Sequence, residues 1–213
     1  MQIDSHHIRK RFSQNFLKDQ VIIDKIINLI NPQKDDFIIE IGPGKGALTI
    51  PILKYVKNLN AIEIDRELAR LLKEKIKNEE FVVYENDALK FDYSKFKNKN
   101  IRLIGNLPYN ISTPLLFHLL SYKKIIKNMF FMLQKEVVER ICAKPNSKKY
   151  GRLSVILQYY CDVESMLIIK PDAFNPSPKV DSAIIKITPL SNTKYDLYSN
   201  ESFKIIVREA FSQ

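Results

Sequence analysis

Between Val21 and Thr188 the chain alternates short apolar runs rich in β-branched residues with amphipathic stretches of helical spacing. No other feature constrains the fold as much. Strands that alternate with helices are covered on both faces, so the pattern calls for a largely parallel sheet between two helical layers. Val21 to Ile30 carries apolar residues at helical spacing, and Phe37 to Ile41 is a buried strand that runs straight into Gly42. A helix is expected over Ala47 to Val56 despite Pro51, then a strand over Leu59 to Ile64 and a charged helix over Glu67 to Lys77. Phe81 to Tyr84 gives a third strand, and Ile101 to Ile104 a fourth that enters Gly105-Asn106-Leu107-Pro108-Tyr109. Ser112 or Thr113 is placed to cap a helix through Leu120, with Pro114 in its tolerated first turn. A strand over Met129 to Leu133, helices over Lys135 to Ala143 and Leu153 to Tyr160, and strands over Val163 to Ile169 and Ala183 to Thr188 complete the pattern. The last two strands are joined by a loop too short for a crossover helix, so they should pair antiparallel. The expectation is a doubly wound α/β fold with a seven-stranded mixed sheet over residues 1–190. Residues 191–213 read as a linker and a helix, Glu201 to Phe211, that stops in mid-pattern, the start of an incomplete C-terminal helical domain.

Composition narrows the class. At 45% hydrophobic and 27% charged, the chain is neither disordered nor fibrous. No apolar run approaches the roughly 18 to 20 residues that span a bilayer. The N-terminus, with Asp4, His6, His7 and Arg9, lacks the apolar stretch of a signal peptide, so a cytoplasmic location is expected. Cys142 and Cys161 have no third cysteine or nearby histidine, which excludes a zinc framework and leaves two buried or neutral thiols. The formal net charge of +10 favours a polyanionic partner, although a merely lysine-rich composition would produce it too.

Chemistry concentrates at strand ends. Glu40-Ile41-Gly42-Pro43-Gly44-Lys45-Gly46 lies at a strand-to-helix turn, where Gly42 and Gly44 admit close backbone approach of a ligand. Lys45 is not followed by Ser or Thr, so the phosphate-loop pattern fails. Alone, the turn fits a dinucleotide site or a plain tight turn. Glu63 ends the next strand, where an acid can accept hydrogen bonds from ribose hydroxyls or simply precede a helix capped by Asp65. Asp87 follows the third strand and is placed either to accept from an adenine amino group or to make an ordinary Asx turn. Open α/β sheets bind ligands at these carboxyl ends, in dehydrogenases and methyltransferases alike.

Asn106-Leu107-Pro108-Tyr109 discriminates between them. An adenine amine is a poor nucleophile because its lone pair is delocalised into the ring. Acceptors for its N–H groups favour a pyramidal nitrogen, and the Asn106 side-chain oxygen and the Leu107 carbonyl suit that task, with Pro108 stiffening the turn. Tyr109 can stack on an extruded base.

These residues resemble the ribosomal small-subunit rRNA adenine N6,N6-dimethyltransferases, kin to the macrolide-resistance 23S rRNA methyltransferases. The likeness runs through Gln14-Asn15-Phe16-Leu17, Glu40 to Thr49, Glu63, Asn86-Asp87-Ala88 and Asn106 to Thr113. It continues through Gln134 to Ile141, Pro145 to Val155 and Phe174 to Ala183, and these three blocks favour the small-subunit branch. The resemblance implies a class I, Rossmann-like methyltransferase that uses S-adenosylmethionine, acts as a monomer without metal, and dimethylates two adjacent adenines near the 3′ end of small-subunit rRNA in immature subunits. It further implies that Asn15 and Leu17 close over the cofactor, Gly42 approaches its methionine portion, Glu63 its ribose and Asp87 its adenine. Asn106 would stand beside both the sulfonium and the target amine, and Phe174 would sandwich the target base opposite Tyr109.

The chemistry would be in-line displacement at the sulfonium methyl. His6, His7 and His118 fit no motif of the family, and the product ammonium is acidic enough to lose its proton to water, so positioning and electrostatics should dominate. RNA contact is expected from a basic arm, Arg9, Lys10 and Arg11, from Lys144, Lys148, Lys149 and Arg152, and from Lys179 beside the aromatic loop. Three rivals remain: a large-subunit rRNA adenine methyltransferase, a non-catalytic RNA-binding assembly factor, and a nicotinamide-dependent dehydrogenase, which leaves the Asn106 to Tyr109 loop unexplained.

Overall fold

A computed structural model describes residues 15–192 and 199–212. A two-residue strand β1 (Phe16–Leu17) precedes α1 (Gln20–Ile30), whose first turn is capped by the Asp19 carboxylate accepting from the Ile22 N–H. Then follow β2 (Phe37–Ile41), α2 (Thr49–Ile52), β3 (Asn58–Glu63), α3 (Arg66–Lys75), β4 (Phe81–Glu85) and β5 (Ile101–Asn106). The second half comprises α4 (Ser112–Leu120), β6 (Ile126–Gln134), α5 (Lys135–Ile141), α6 (Arg152–Tyr160), β7 (Cys161–Ile169), β8 (Phe174–Asn175), β9 (Ser182–Pro189) and α7 (Asn200–Ala210).

Seven strands form one sheet in the order β4-β3-β2-β5-β6-β9-β7. The strands from β2 to β6 pair parallel, and β9 runs antiparallel to both its neighbours. The expected antiparallel pair is therefore present, but β9 also inserts between β7 and the rest of the sheet. Strand alternation divides the core: Ile39, Leu103, Met129 and Phe131 face one layer with α4, α5 and α6, while Ile38, Ile104, Phe130 and Met132 face α1 and α2. Strand order reverses between β2 and β5, which opens a crevice at their carboxyl ends.

Three local expectations change. The helix over Ala47 to Val56 contracts to the single turn of α2, because the glycine loop delays its start and Pro51 brings no N–H to extend it. Neither Ser112 nor Thr113 caps α4; Ile111 occupies the cap, and the Ser112 hydroxyl donates instead to the Tyr109 carbonyl at 3.1 Å. The third is an addition, a short antiparallel ladder of β1 with β8 that joins Leu17 to Phe174 and Phe16 to Asn175. Helix α7 packs Val207 and Phe203 inward, the Phe203 ring 4.8 Å from that of Tyr159, and leaves Ile205 and Ile206 exposed. No described helix is long and apolar enough to cross a membrane. Burial raises the thiol pKa of both cysteines, that of Cys161 to about 12, and keeps them neutral.

Candidate functional site

A cavity of about 310 Å³ opens at the switch between β2 and β5, a volume in the range of small-molecule sites. Its lining brings together Asn15, Gly42, Gly44, Glu63, Asp87, Asn106, Leu107 and Tyr109, residues singled out from five separate stretches of sequence.

The glycine loop forms the floor. Gly42 (φ 67°) and Gly44 (φ 55°) adopt left-handed conformations that side chains with a Cβ resist. A Cβ on Gly44 would also stand 3.1 Å from the Phe16 ring, which lies over the loop with the Lys45 ammonium 5.2 Å from its centroid. Phe16 thus lines the cavity, whereas Leu17 is buried and does not. Leu17 points into the core beside α1 and reaches the site only through its neighbours.

Glu63 stands at the end of β3, where its two carboxylate oxygens accept from the N–H groups of Gly44 (3.2 Å) and Asp65 (2.9 Å). Burial raises its pKa, and these two donors oppose the rise. Each oxygen keeps a lone pair for a further donor, as hydroxyls of a bound ribose would require. Behind it, the fully buried Glu40 accepts from the Thr49 hydroxyl at 2.6 Å. Desolvation, opposed by that hydroxyl and reinforced by the charge of Glu63, lifts the Glu40 pKa to about 7.

Asp87 lines the cavity and also makes an Asx turn, its Oδ1 accepting from the Leu89 N–H at 2.9 Å. Both sequence interpretations are therefore compatible, with Oδ2 left for a ligand. Ile64, an apolar residue 48% exposed beside Glu63, supplies the cavity with a hydrophobic surface against which a planar ring could lie. An isoleucine between two acids was the available signal, and its strand-end position masked it.

At the far wall, the Asn106 side-chain Nδ2 donates to the Asn15 carbonyl at 2.9 Å. That bond sets the amide orientation and leaves Oδ1 as an acceptor. Leu107 is held by its N–H donating to the Met132 carbonyl at 3.1 Å, and Tyr109 is half-buried with its hydroxyl 2.8 Å from that of Ser182. Burial raises the Tyr109 pKa against the effect of Ser182, so the phenol is neutral at physiological pH.

Phe174, like Leu17, stands outside the lining. It is only 1% exposed, packs among Ile23, Ile26 and Phe130, and does not line the cavity. The β1–β8 ladder, with the Lys18 N–H donating to the Ala173 carbonyl at 2.9 Å, turns this aromatic into the anchor of the N-terminal strand. In this conformation it is not opposite Tyr109, and a base sandwich would require the ring to leave the core.

Of the proposed RNA contacts, Lys148, Lys149 and Arg152 gather in a groove of about 580 Å³ beside the start of α4. Lys149 pairs with Glu139, while the Arg152 guanidinium lies 6.0 Å from the centroid of the Phe117 ring. Lys179 is exposed on the loop before β9, and Arg9, Lys10 and Arg11 lie outside the described residues. His118 is remote from the cavity lining; its Nε2 is 3.2 Å from the Phe91 carbonyl. Among the described residues no cluster of His, Cys, Asp and Glu could hold a metal ion.

Comparison with known proteins identifies the family. The ribosomal RNA adenine dimethylase family profile matches residues 5–213. The ribosomal RNA small subunit methyltransferase A of Hahella chejuensis is 50% identical over 210 residues, covering 97% of this chain and 77% of that protein. Its counterpart in Escherichia fergusonii is 49% identical over 212 residues, covering 98% of this chain and 78% of its own. A dimethyladenosine transferase from Plasmodium falciparum superposes with a TM-score of 0.82 at 33% identity, covering 93% of this chain and 71% of that one. The 23S rRNA methyltransferase ErmE superposes less closely, with a TM-score of 0.76 at 25% identity, covering 91% and 78%. The family profile over almost the whole chain and relatives about half identical to it lead to one assignment: the protein belongs to the ribosomal RNA adenine dimethylase family.

Proposed function

We propose that this enzyme, an rRNA adenine dimethyltransferase, acts on two adjacent adenines near the 3′ end of small-subunit rRNA within immature subunits, and that Asn106 is the residue at which chemistry is organised. The observation that carries the residue assignment is the Asn106–Asn15 hydrogen bond, because it turns the amide oxygen into a fixed acceptor at the cavity wall. S-adenosylmethionine supplies an electrophilic methyl group on a sulfonium. Gly42 and Gly44 let the backbone approach the methionine portion, Glu63 accepts from the ribose, and Asp87 accepts from the adenine amino group while Ile64 meets its ring face.

Across the cavity, Asn106 Oδ1 and the Leu107 carbonyl accept from the two N–H groups of the target amine. Two acceptors in this relation favour a pyramidal nitrogen and direct its lone pair towards the methyl group. Tyr109 supplies a ring for the extruded base. The proton lost by the product ammonium passes to water, consistent with the lining among the described residues, which contains neither histidine nor lysine. Lys148, Arg152 and Lys179 then meet phosphates outside the pocket.

The test is methyl transfer from radiolabelled S-adenosylmethionine to immature small subunits, followed by nucleoside analysis. Dimethyladenosine confined to adjacent positions near the 3′ end of small-subunit RNA is the expected product. Label confined to large-subunit RNA would transfer the assignment to the other branch of the family.

A further inference from the structure

We propose that Ser182 is a positioning residue that fixes the Tyr109 ring as one wall of the target-base pocket; the proposal rests on the base-stacking role given to Tyr109 above. Ser182 is completely buried, and its hydroxyl lies 2.8 Å from that of Tyr109, a residue 73 positions away. It begins β9, where its backbone pairs with Gln134 of β6 on one side and Ile169 of β7 on the other. The preceding residue, Asp181, is itself held by ion pairs with Lys135 and Lys170, and its carbonyl accepts from the Lys135 N–H at 2.9 Å. Ser182 is therefore held in the sheet by a neighbouring strand on each side.

Its neighbours along the strand, Ala183, Ile184 and Ile185, are buried and apolar. A hydroxyl in such a row is costly without a partner, and Tyr109 provides one. Tyr109 lies on the loop between β5 and α4; its carbonyl accepts from the Ser112 hydroxyl of α4, and its hydroxyl meets Ser182 of the sheet. A free tyrosine ring has two motions, a swing about χ1 and a rotation about χ2, and anchoring its para hydroxyl removes the swing. What remains is a planar surface at a fixed place beside Asn106, against which an extruded purine can stack without first ordering the side chain.

The experiment compares Ser182→Ala, Tyr109→Phe and the double variant in the full chain, measuring methyl transfer on the adenine-containing RNA and, separately, base stacking on the same RNA with 2-aminopurine, which has no 6-amino group to accept a methyl, at the target position. Ser182→Ala should lower kcat/KM for RNA by about ten-fold, as loss of one buried hydrogen bond implies. Cofactor affinity should stay as in the wild type, and the quenching of bound 2-aminopurine should weaken. Tyr109→Phe keeps the ring and removes the same bond, so it should reproduce these effects, and adding Ser182→Ala to it should change nothing further. Wild-type quenching and turnover in both single variants would overturn the proposal. So would a Ser182→Ala deficit that persists undiminished in the Tyr109→Phe background, since that is the behaviour of a general packing defect. If Ser182→Ala fails to fold, Tyr109→Phe alone decides by the same readouts. Full methylation by Tyr109→Ala would instead remove the base-stacking role itself.

Discussion

Two buried acids and one amide set the behaviour of the site at the scale of single residues. Asn106 and Glu63 lie at opposite walls, so their loss should be separable. Asn106→Ala is expected to reduce kcat by roughly 100-fold or more while cofactor binding weakens only partly. Glu63→Ala should weaken cofactor binding first, by about ten-fold or more, because it removes a charged acceptor and frees the Gly44 N–H. Calorimetric titration beside single-turnover kinetics separates the two; wild-type-like turnover by Asn106→Ala would refute its role. Glu40 offers a pH test. Its folded-state pKa, about 7, exceeds that of an unfolded glutamate, so between about pH 4.5 and 7 the folded state binds more protons and stability falls as pH rises. The gap corresponds to roughly 3 kcal/mol of destabilisation fully developed above pH 7. Glu40→Gln, which still accepts from the Thr49 hydroxyl, should therefore melt higher than the wild type at pH 8, with the difference shrinking towards pH 5. A difference in melting temperature independent of pH would show that Glu40 does not titrate in this range.

Elements bring these residues together through close backbone approach. A Cβ on Gly105 would lie 2.4 Å from the Ile41 carbonyl oxygen, closer than any real contact, so β2 and β5 can run side by side at the crevice only with glycine there. Gly105→Ala should splay these strands and cost about 1–3 kcal/mol, measurable as a lower denaturation midpoint together with weakened cofactor binding. An unchanged midpoint would mean that the strands can separate at no cost. At the opposite end of β5 the buried Arg102 binds the carbonyls of Ile30 and Asn31 and pairs with Asp36, which fastens the end of α1 to the sheet. Burial pushes the Asp36 pKa up, but the Gln33 N–H and the Arg102 guanidinium outweigh it and hold the carboxyl below its ordinary range. The parallel strands, their order of appearance and the loops at their ends were legible in the sequence, because apolar period and turn chemistry are local signals. The β1–β8 ladder was not. Two residues on each side carry no period, and the residues that pair are more than 150 positions apart. The resemblance cast Phe174 as a base-stacking aromatic, whereas the structure buries it in the core, and no local signal marks the contact of Ser182 with Tyr109 across 73 positions.

At the scale of the whole molecule the +10 charge should govern RNA binding and leave cofactor binding almost untouched. Each phosphate contact adds about 0.7 to 0.9 to the slope of log affinity against log salt. Lys148→Ala and Arg152→Ala should each lower that slope by about 1, and Lys149→Ala by less, since Glu139 already neutralises it. Filter binding across a salt series measures this; slopes unchanged from the wild type in all three variants would show that the groove beside α4 is not on the RNA path. The charge was legible in composition, but not its division between paired and available cations, which depends on neighbours from other elements.

The position of β9 has a consequence for how the protein is made. Of the seven strands in the sheet it is the last in sequence, and it fills the place between β6 and β7. Until Pro189 is available, both of those strands present an unpaired edge, and β6 carries the unbroken apolar run Met129 to Leu133. Such edges template pairing between chains. A nascent or truncated chain that ends before Ser182 is thus an aggregation hazard, and the segment that relieves it also delivers the hydroxyl that meets Tyr109. Closure of the sheet and completion of the base pocket are a single late event.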